Sequence, residues 1–340
     1  MEGAGKNMKR KITVLTLCAL LFALCGSGDA QQAEKIFRIG FLDGSTAAGS
    51  AVLLEAFRQE LKKLGWIEGK NIIVEYRFGE SKGSERLLEL AAELVRLKVD
   101  LIVVSATGPT LAAKSATTTI PIVMTRVGDP VGEGFVASLA RPGGNVTGLS
   151  TLATELNTKR LEILNDAVPK LARVGFLRGP GGGIGDISTD LQLKKLRAAA
   201  VVLKLELEVI KTQPDPKGLE SVFQSAKQKR VNAIMTLTSP SFFAERKRIV
   251  GLAGKHRLPA IYFQREFVDE GGLMSYGADY DDLFRRAAVY VDKILKGAKP
   301  ADLPVQQATK FEFIINLKAA KQIGLTLSPE FLSRANKVIK

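Results

Sequence analysis

The chain has 340 residues, 46% hydrophobic and 25% charged, which suits about two ordinary globular domains and excludes a disordered or fibrous protein. Its 49 Lys and Arg outnumber 35 Asp and Glu for a net charge of +14, yet the basic residues are scattered and often stand beside acids, as in Glu245-Arg246-Lys247-Arg248. No aromatic-interleaved basic run, helix-turn-helix or zinc-finger spacing accompanies them, so the charge reads as a solvated surface and no nucleic-acid partner is expected.

Residues 1–30 read as a secretory signal peptide. Lys6, Lys9, Arg10 and Lys11 precede a mostly apolar stretch, Ile12 to Leu24, shorter than the roughly 20 residues of a membrane span. Gly28 and Ala30 are small residues placed for cleavage before Gln31. A buried N-terminal helix is the alternative. Cys18 and Cys25 both lie in this leader, so the mature chain has no disulfide, thiolate nucleophile or cysteine metal site. A lipid anchor on Cys25 stays open, although Leu24 stands where a lipobox wants a small residue. The leader takes away four basic and two acidic residues, leaving +12. The mature protein is expected to be periplasmic or otherwise extracytoplasmic.

Beyond the leader, strand and helix patterns alternate. Phe37 to Leu42 is a continuous apolar strand. Leu53, Leu54, Phe57, Leu61 and Leu64 follow at helical spacing and stop at Gly65. Asn71 to Tyr76 is β-branched, Leu87 to Val95 is a helical stripe, and Asp100 to Val104 is a strand. Pro109 to Ala116 reads as a helix and Pro121 to Thr125 as a strand. The strand runs lack polar alternation, which favours parallel sheets covered on both faces. Arg141 to Asn145 is a turn-rich break, and Val146 to Ser150 looks like a connector.

The order then repeats. Arg38-Ile39-Gly40-Phe41-Leu42 returns 135 residues on as Arg173-Val174-Gly175-Phe176-Leu177. Thr107-Gly108-Pro109-Thr110 is echoed by Thr238-Ser239-Pro240-Ser241, and Ile120-Pro121-Ile122 by Leu258-Pro259-Ala260. Strands are expected over Leu205 to Lys211, Ala233 to Thr238 and Ala260 to Phe263, with helices over Pro216 to Lys229 and Pro240 to His256. The tail adds a strand at 271–277, a helix marked by Leu283 to Ile294, a strand over Ala308 to Ile315 and a helix over Leu317 to Ile323. Too short for a third domain, it is expected to tie the halves together by three crossings. The expected architecture is α/β, two Rossmann-like lobes with parallel sheets joined by a multi-strand hinge. Residues 36–149 plus 278–305 would form one lobe, and 150–277 plus 306–340 the other.

No catalytic set emerges. His256, the only histidine, sits near a helix C-terminus without a nucleophile or ligand set nearby. Gly44 to Ser50 has P-loop glycine spacing but no lysine, and Gly179 to Gly185 offers no Gly-x-Gly-x-x-Gly register, although a dinucleotide reading of it stays open. No cofactor and no metal are expected, and no enzyme. The stronger signal is small, hydroxylated residues at the carboxyl ends of strands, where open α/β sheets bind ligands. Ser45, Thr46, Thr107, Gly108, Arg126 and Asp129 from the first half, and Arg178, Thr238, Ser239 and Asp279 from the second, are the candidate ligand-binding residues. Each hydroxyl serves equally as a helix N-cap.

Several segments carry a family resemblance. They are Arg38 to Leu42, Phe57 to Gly65 with Asn71 to Tyr76, Gly128-Asp129-Pro130-Val131-Gly132, Arg141-Pro142-Gly143-Gly144-Asn145-Val146-Thr147-Gly148 and Gly271 to Gly277. Over most of residues 37–325 the chain resembles the ABC-transporter substrate-binding proteins of the tryptophan/tyrosine-type group. That resemblance implies a type I periplasmic binding fold, closure on a small polar ligand (an amino acid or related carboxylate), delivery to membrane permease subunits, and a monomer. A sensor subunit for a receptor kinase and a two-lobed enzyme are the alternatives. The loop Arg178 to Gly185 departs from the family's Asn/Ser-rich loop, and with Arg126 it turns expectation toward a more acidic ligand.

Overall fold

The structure, a computed structural model, describes residues 35–80, 82–179 and 186–340. The chain divides into two units, Met1–Ile36 and Phe37–Lys340, and the second holds both sheets. The expected signal peptide with Cys18 and Cys25 lies outside the described residues, as does 180–185 of the glycine-rich loop.

Five strands open the chain: β1 (Phe37–Asp43), β2 (Ile72–Phe78), β3 (Leu101–Ser105), β4 (Ile122–Val127) and β5 (Val146–Ser150). Five more succeed them: β6 (Arg173–Arg178), β7 (Glu206–Lys211), β8 (Ala233–Thr236), β9 (Ala260–Tyr262) and β10 (Met274–Ala278). The tail supplies β11 (Gln306–Gln307), β12 (Phe311–Asn316) and β13 (Lys337–Ile339). They form two sheets, ordered β11-β5-β4-β3-β1-β2 and β13-β12-β10-β9-β8-β6-β7. The repeated strands β1 and β6 hold the same place in each, flanked by their two successors. Every pairing is parallel except β10 with β12, whose antiparallel register runs from Met274 opposite Ile315 to Ala278 opposite Phe311.

The period of two in β1 divides the first lobe's core. Ile39 and Phe41 face one way, into apolar packing continuous with the second lobe, while Leu42 faces the other, among Leu90, Leu94 and Val104. The helix Tyr280–Leu295 belongs to the first lobe although it comes after the second lobe's β10. Its Phe284 ring lies 6.5 Å from that of Phe41, and its Asp292 accepts the Trp66 indole N–H at 2.9 Å. The chain therefore passes between sheets three times: after β5, after β10 and between β11 and β12. The last passage comes after Gln307, because Gln306 and Gln307 still pair with Leu149 and Ser150. Val146 to Ser150 is accordingly an edge-proximal strand of the first sheet rather than a bare connector.

Two motif glycines are explained by close backbone approach. Gly148 has φ of +130°, and a Cβ there would collide with the Met124 carbonyl where β4 and β5 change register. At Gly277 in β10 a Cβ would collide with the Phe263 carbonyl oxygen just beyond β9. Only glycine lets the backbones come this close.

Candidate functional site

The carboxyl ends of both sheets converge on a set of buried polar groups. On the first lobe Asp43, the last residue of β1, is fully buried. It accepts hydrogen bonds from Ser45 N–H and Oγ, both at 2.8 Å, and from Ser50 Oγ at 2.9 Å. Arg126 reaches the same carboxylate at 3.5 Å, donates from Nε to Ser105 Oγ at 2.8 Å, and sets its guanidinium carbon 5.8 Å from the centre of the Tyr280 ring. Arg126 is thus neutralised within its own lobe. Ser45 is turned inward, and Thr46 is an exposed N-cap that accepts from Gly49 N–H at 3.1 Å.

The next group is organised by Glu133. Its Oε2 accepts from Thr107 Oγ1 at 2.8 Å and its Oε1 from the Asp129 N–H at 3.1 Å. The carboxyl also accepts from Ser188 of the second lobe. Burial holds Glu133 above the usual carboxylate range, against the pull of these donors. Asp129 itself turns away and accepts from Gly132 N–H at 2.9 Å, closing its Asp-Pro-Val-Gly turn. The helix that bears Gly108 starts at Thr107, two residues before the expected Pro109. Its N-cap, Ala106, has φ 79° and ψ 170°. A non-glycine residue in that region carries strain of about 1–3 kcal/mol, a cost that clusters at functional sites.

The second lobe contributes Arg160, from the helix Ala153–Ala167, at only 1% exposure. Its Nε donates to the Tyr276 carbonyl at 2.6 Å, and its Nη1 to Asn157 Oδ1 at 2.5 Å and Thr238 Oγ1 at 3.2 Å. All three acceptors are uncharged, and Arg160 forms no ion pair among the described residues. Burial pulls its guanidinium down to about 10, offset in part by Tyr280 and Tyr276. Asn157 passes the chain of bonds on to Gln192 at 2.7 Å, and Gln192 to Ser188 at 3.2 Å. Tyr280 feels both arginines: burial raises its phenol, while Arg160 and then Arg126 act to lower it.

The structure therefore joins Ser45 to Arg126 through Asp43, Thr107 to Asp129 through Glu133, and Thr238 to Arg160. The remaining candidates have local duties. Ser239 caps a five-residue helix through the Phe242 N–H, and Asp279 caps Tyr280–Leu295 through the Asp282 N–H. Arg178 donates to the Gly179 carbonyl at 3.2 Å and lies 3.9 Å from Asp190. Asp43, Glu133, Arg160 and the bridge through Asn157, Gln192 and Ser188 are not singled out by sequence. One signal for Arg160 exists there: Asn157, Arg160, Leu161 and Leu164 share a helical face, and all four are buried.

The sequence profile of ABC transporter substrate binding proteins matches residues 49–339. The chain belongs to that family. It is 27% identical over 271 residues to a tyrosine-binding protein of Clostridioides difficile (strain R20291), covering 80% of this chain and 76% of the relative. Among solved structures, a conserved domain protein of Vibrio cholerae O1 biovar El Tor superposes with a TM-score of 0.80 at 27% identity, covering 89% of this chain and all of that one. An ABC domain from Streptococcus pneumonia in complex with L-Trp gives 0.79 at 25% identity, over 89% of this chain and 99% of that one. The two-lobed α/β fold with parallel sheets is the one these neighbours share. Family and fold indicate binding rather than catalysis, a small-molecule ligand, ABC permease partners and an extracytoplasmic place of work. Among the described residues no helix is long and apolar enough to cross a membrane.

Proposed function

We propose that this protein is the monomeric solute-binding component of an ABC importer, freed outside the cytoplasm by cleavage after Ala30, and that it closes on an amino acid. The observation that carries the ligand class is Arg160. A buried cation without an anionic partner is costly, and buried charges in native proteins are paired. The missing partner is the carboxylate of the ligand, which would complete the fork left open beside Thr238. Ser45, Thr107 and Arg126 would border the cleft from the first lobe. Arg126 is already matched by Asp43, which removes the reason to expect a strongly acidic solute and favours a zwitterion. The tyrosine-binding relative and the L-Trp-bound neighbour support the same class.

Isothermal titration of ligand-stripped protein with L-tyrosine and L-tryptophan tests the reading. Binding of either, lost by about 30-fold or more in Arg160→Leu, is the expected outcome, in line with the 2–5 kcal/mol of a broken buried charge pair. Arg160→Leu should keep its fold by circular dichroism, since an apolar replacement removes the unpaired charge. Unchanged affinity in that variant would remove Arg160 from the site.

A further inference from the structure

One buried group beside the hinge takes no part in the contacts made by the two arginines and Glu133. Gln264 comes after β9 at the carboxyl end of the second sheet and is 3% exposed. Among the described residues neither its Oε1 nor its Nε2 meets a hydrogen-bond partner. Each half of an amide left dry and unpaired costs about 1–3 kcal/mol, so a buried amide with both halves free calls for a ligand that can both donate and accept.

The surroundings decide the sign of that ligand. Gln264 lines a small cavity with Glu266, Asp279, Tyr280, Asp281 and Glu312. The cation on its wall, Arg265, is committed to Asp281 at 3.2 Å. Asp279 is engaged with the start of its helix. Glu266 and Glu312 form no ion pair among the described residues, and burial raises both carboxyls, with acidic neighbours adding to the effect. The cavity therefore has more negative than positive groups and an idle hydrogen-bonding amide. The Gln264 backbone lies against Gly277, and the carbonyl of the adjacent Tyr276 is held by Arg160 at 2.6 Å, so the cavity and Arg160 meet along the same stretch of β10.

We propose that Gln264 and Glu266 form the ammonium-recognising end of the cleft. Gln264 Oε1 accepts an ammonium N–H, Nε2 donates to the neighbouring carboxylate of the same ligand, and Glu266 supplies the counter-charge. One zwitterion thus satisfies both halves of the amide and spans the distance between an acid and Arg160. The inference rests on the amino-acid reading of the cleft and adds to it the residues that distinguish an amino acid from a plain carboxylic acid.

Titrations of three probes separate the two ideas: L-tyrosine, its des-amino analogue, and tyramine, which lacks the carboxylate. Wild-type protein should bind tyrosine at least about tenfold tighter than either analogue. Gln264→Leu and Glu266→Gln should each weaken tyrosine by about tenfold or more. Glu266→Gln should leave the des-amino analogue unchanged, and Gln264→Leu, which also loses the bond from Nε2 to the carboxylate, should weaken that analogue by a smaller factor than tyrosine. If both variants bind tyrosine like wild type, or lose tyrosine and the des-amino analogue equally, the ammonium assignment is overturned while the amino-acid reading stands. If wild-type protein binds neither tyrosine nor its analogues, and L-tryptophan also fails, the amino-acid reading itself falls and takes this inference with it. Glu266→Gln is nearly isosteric, so it keeps the test sharp should Gln264→Leu fold poorly.

Discussion

Glu133 is one acid on which the cleft's pH response turns. Its carboxyl is raised above the ordinary glutamate value because burial outweighs the donors Thr107, Asp129 and Ser188. A raised carboxyl means the folded chain holds a proton that the unfolded chain has released, throughout the interval between the ordinary and the raised value. Stability therefore falls as pH rises through that interval and is level above it. A Glu133→Gln variant cannot ionise at this position. Its side chain keeps an oxygen for the Asp129 N–H and gains an amide N–H2 that the Thr107 and Ser188 hydroxyls can accept. The variant's melting temperature, measured against wild type from about pH 4 to about pH 7, should gain on wild type as pH rises. A difference that is flat with pH would show that Glu133 is not held in its protonated form by the fold. The same comparison isolates Glu133 from Glu266 and Glu312, whose carboxyls are also raised and are common to both proteins.

At the level of elements, the hinge depends on how closely β10 runs past the end of β9. Gly277 permits that approach, since a side chain there would strike the Phe263 carbonyl oxygen. Gly277→Ala must push the two backbones apart beside Gln264 and should cost about 1–3 kcal/mol. The check is a denaturant titration in which the midpoint falls and the m-value holds; an unchanged midpoint would mean the strands part without resistance. Most strands are legible in the sequence because runs such as Leu101 to Val104 are apolar without a break, as strands buried on both faces must be. The stretch Ala308 to Ile315 reads as one strand, but strand pairing there begins earlier, in β11, and resumes in β12. The chain changes sheets between them, and no local pattern encodes which neighbour a strand will find. Pro240 to His256 reads as one helix and is broken at Glu245, whose backbone (φ −91°, ψ 12°) ends one segment and begins the next. Of the site, the hydroxyls at strand ends are legible from their spacing before helix starts. Arg160 and Gln264 are not, because their importance comes from burial without partners, which arises only once helix faces and strand ends meet.

For the whole molecule, the question is how a ligand held by Arg160 makes two lobes close. A line of hydrogen bonds runs from Arg160 through Asn157, Gln192 and Ser188 to Glu133 and Thr107, and so from the second lobe into the first. The lobes also touch at this rim, where a Cβ on Gly128 would stand 3.3 Å from that of Ala153 and 3.8 Å from Ser188 Oγ. Closure shifts a population between open and closed forms, and a ligand moves it only by as much as it prefers one of them. Removing a contact made only in the closed form weakens every ligand equally. Ser188→Ala deletes the hydroxyl that joins Gln192 to Glu133. With a hydrogen bond worth about 0.5–1.5 kcal/mol, tyrosine affinity should fall by about two- to tenfold. The des-amino analogue should fall by the same factor, in contrast to the selective loss at Gln264 or Glu266. Small-angle scattering of the ligand-free variant should give a larger radius of gyration than wild type, and saturating ligand should bring the two together. Should Ser188→Ala bind and scatter like wild type, the rim contact forms on closure without stabilising it, and the hinge strands alone set the balance.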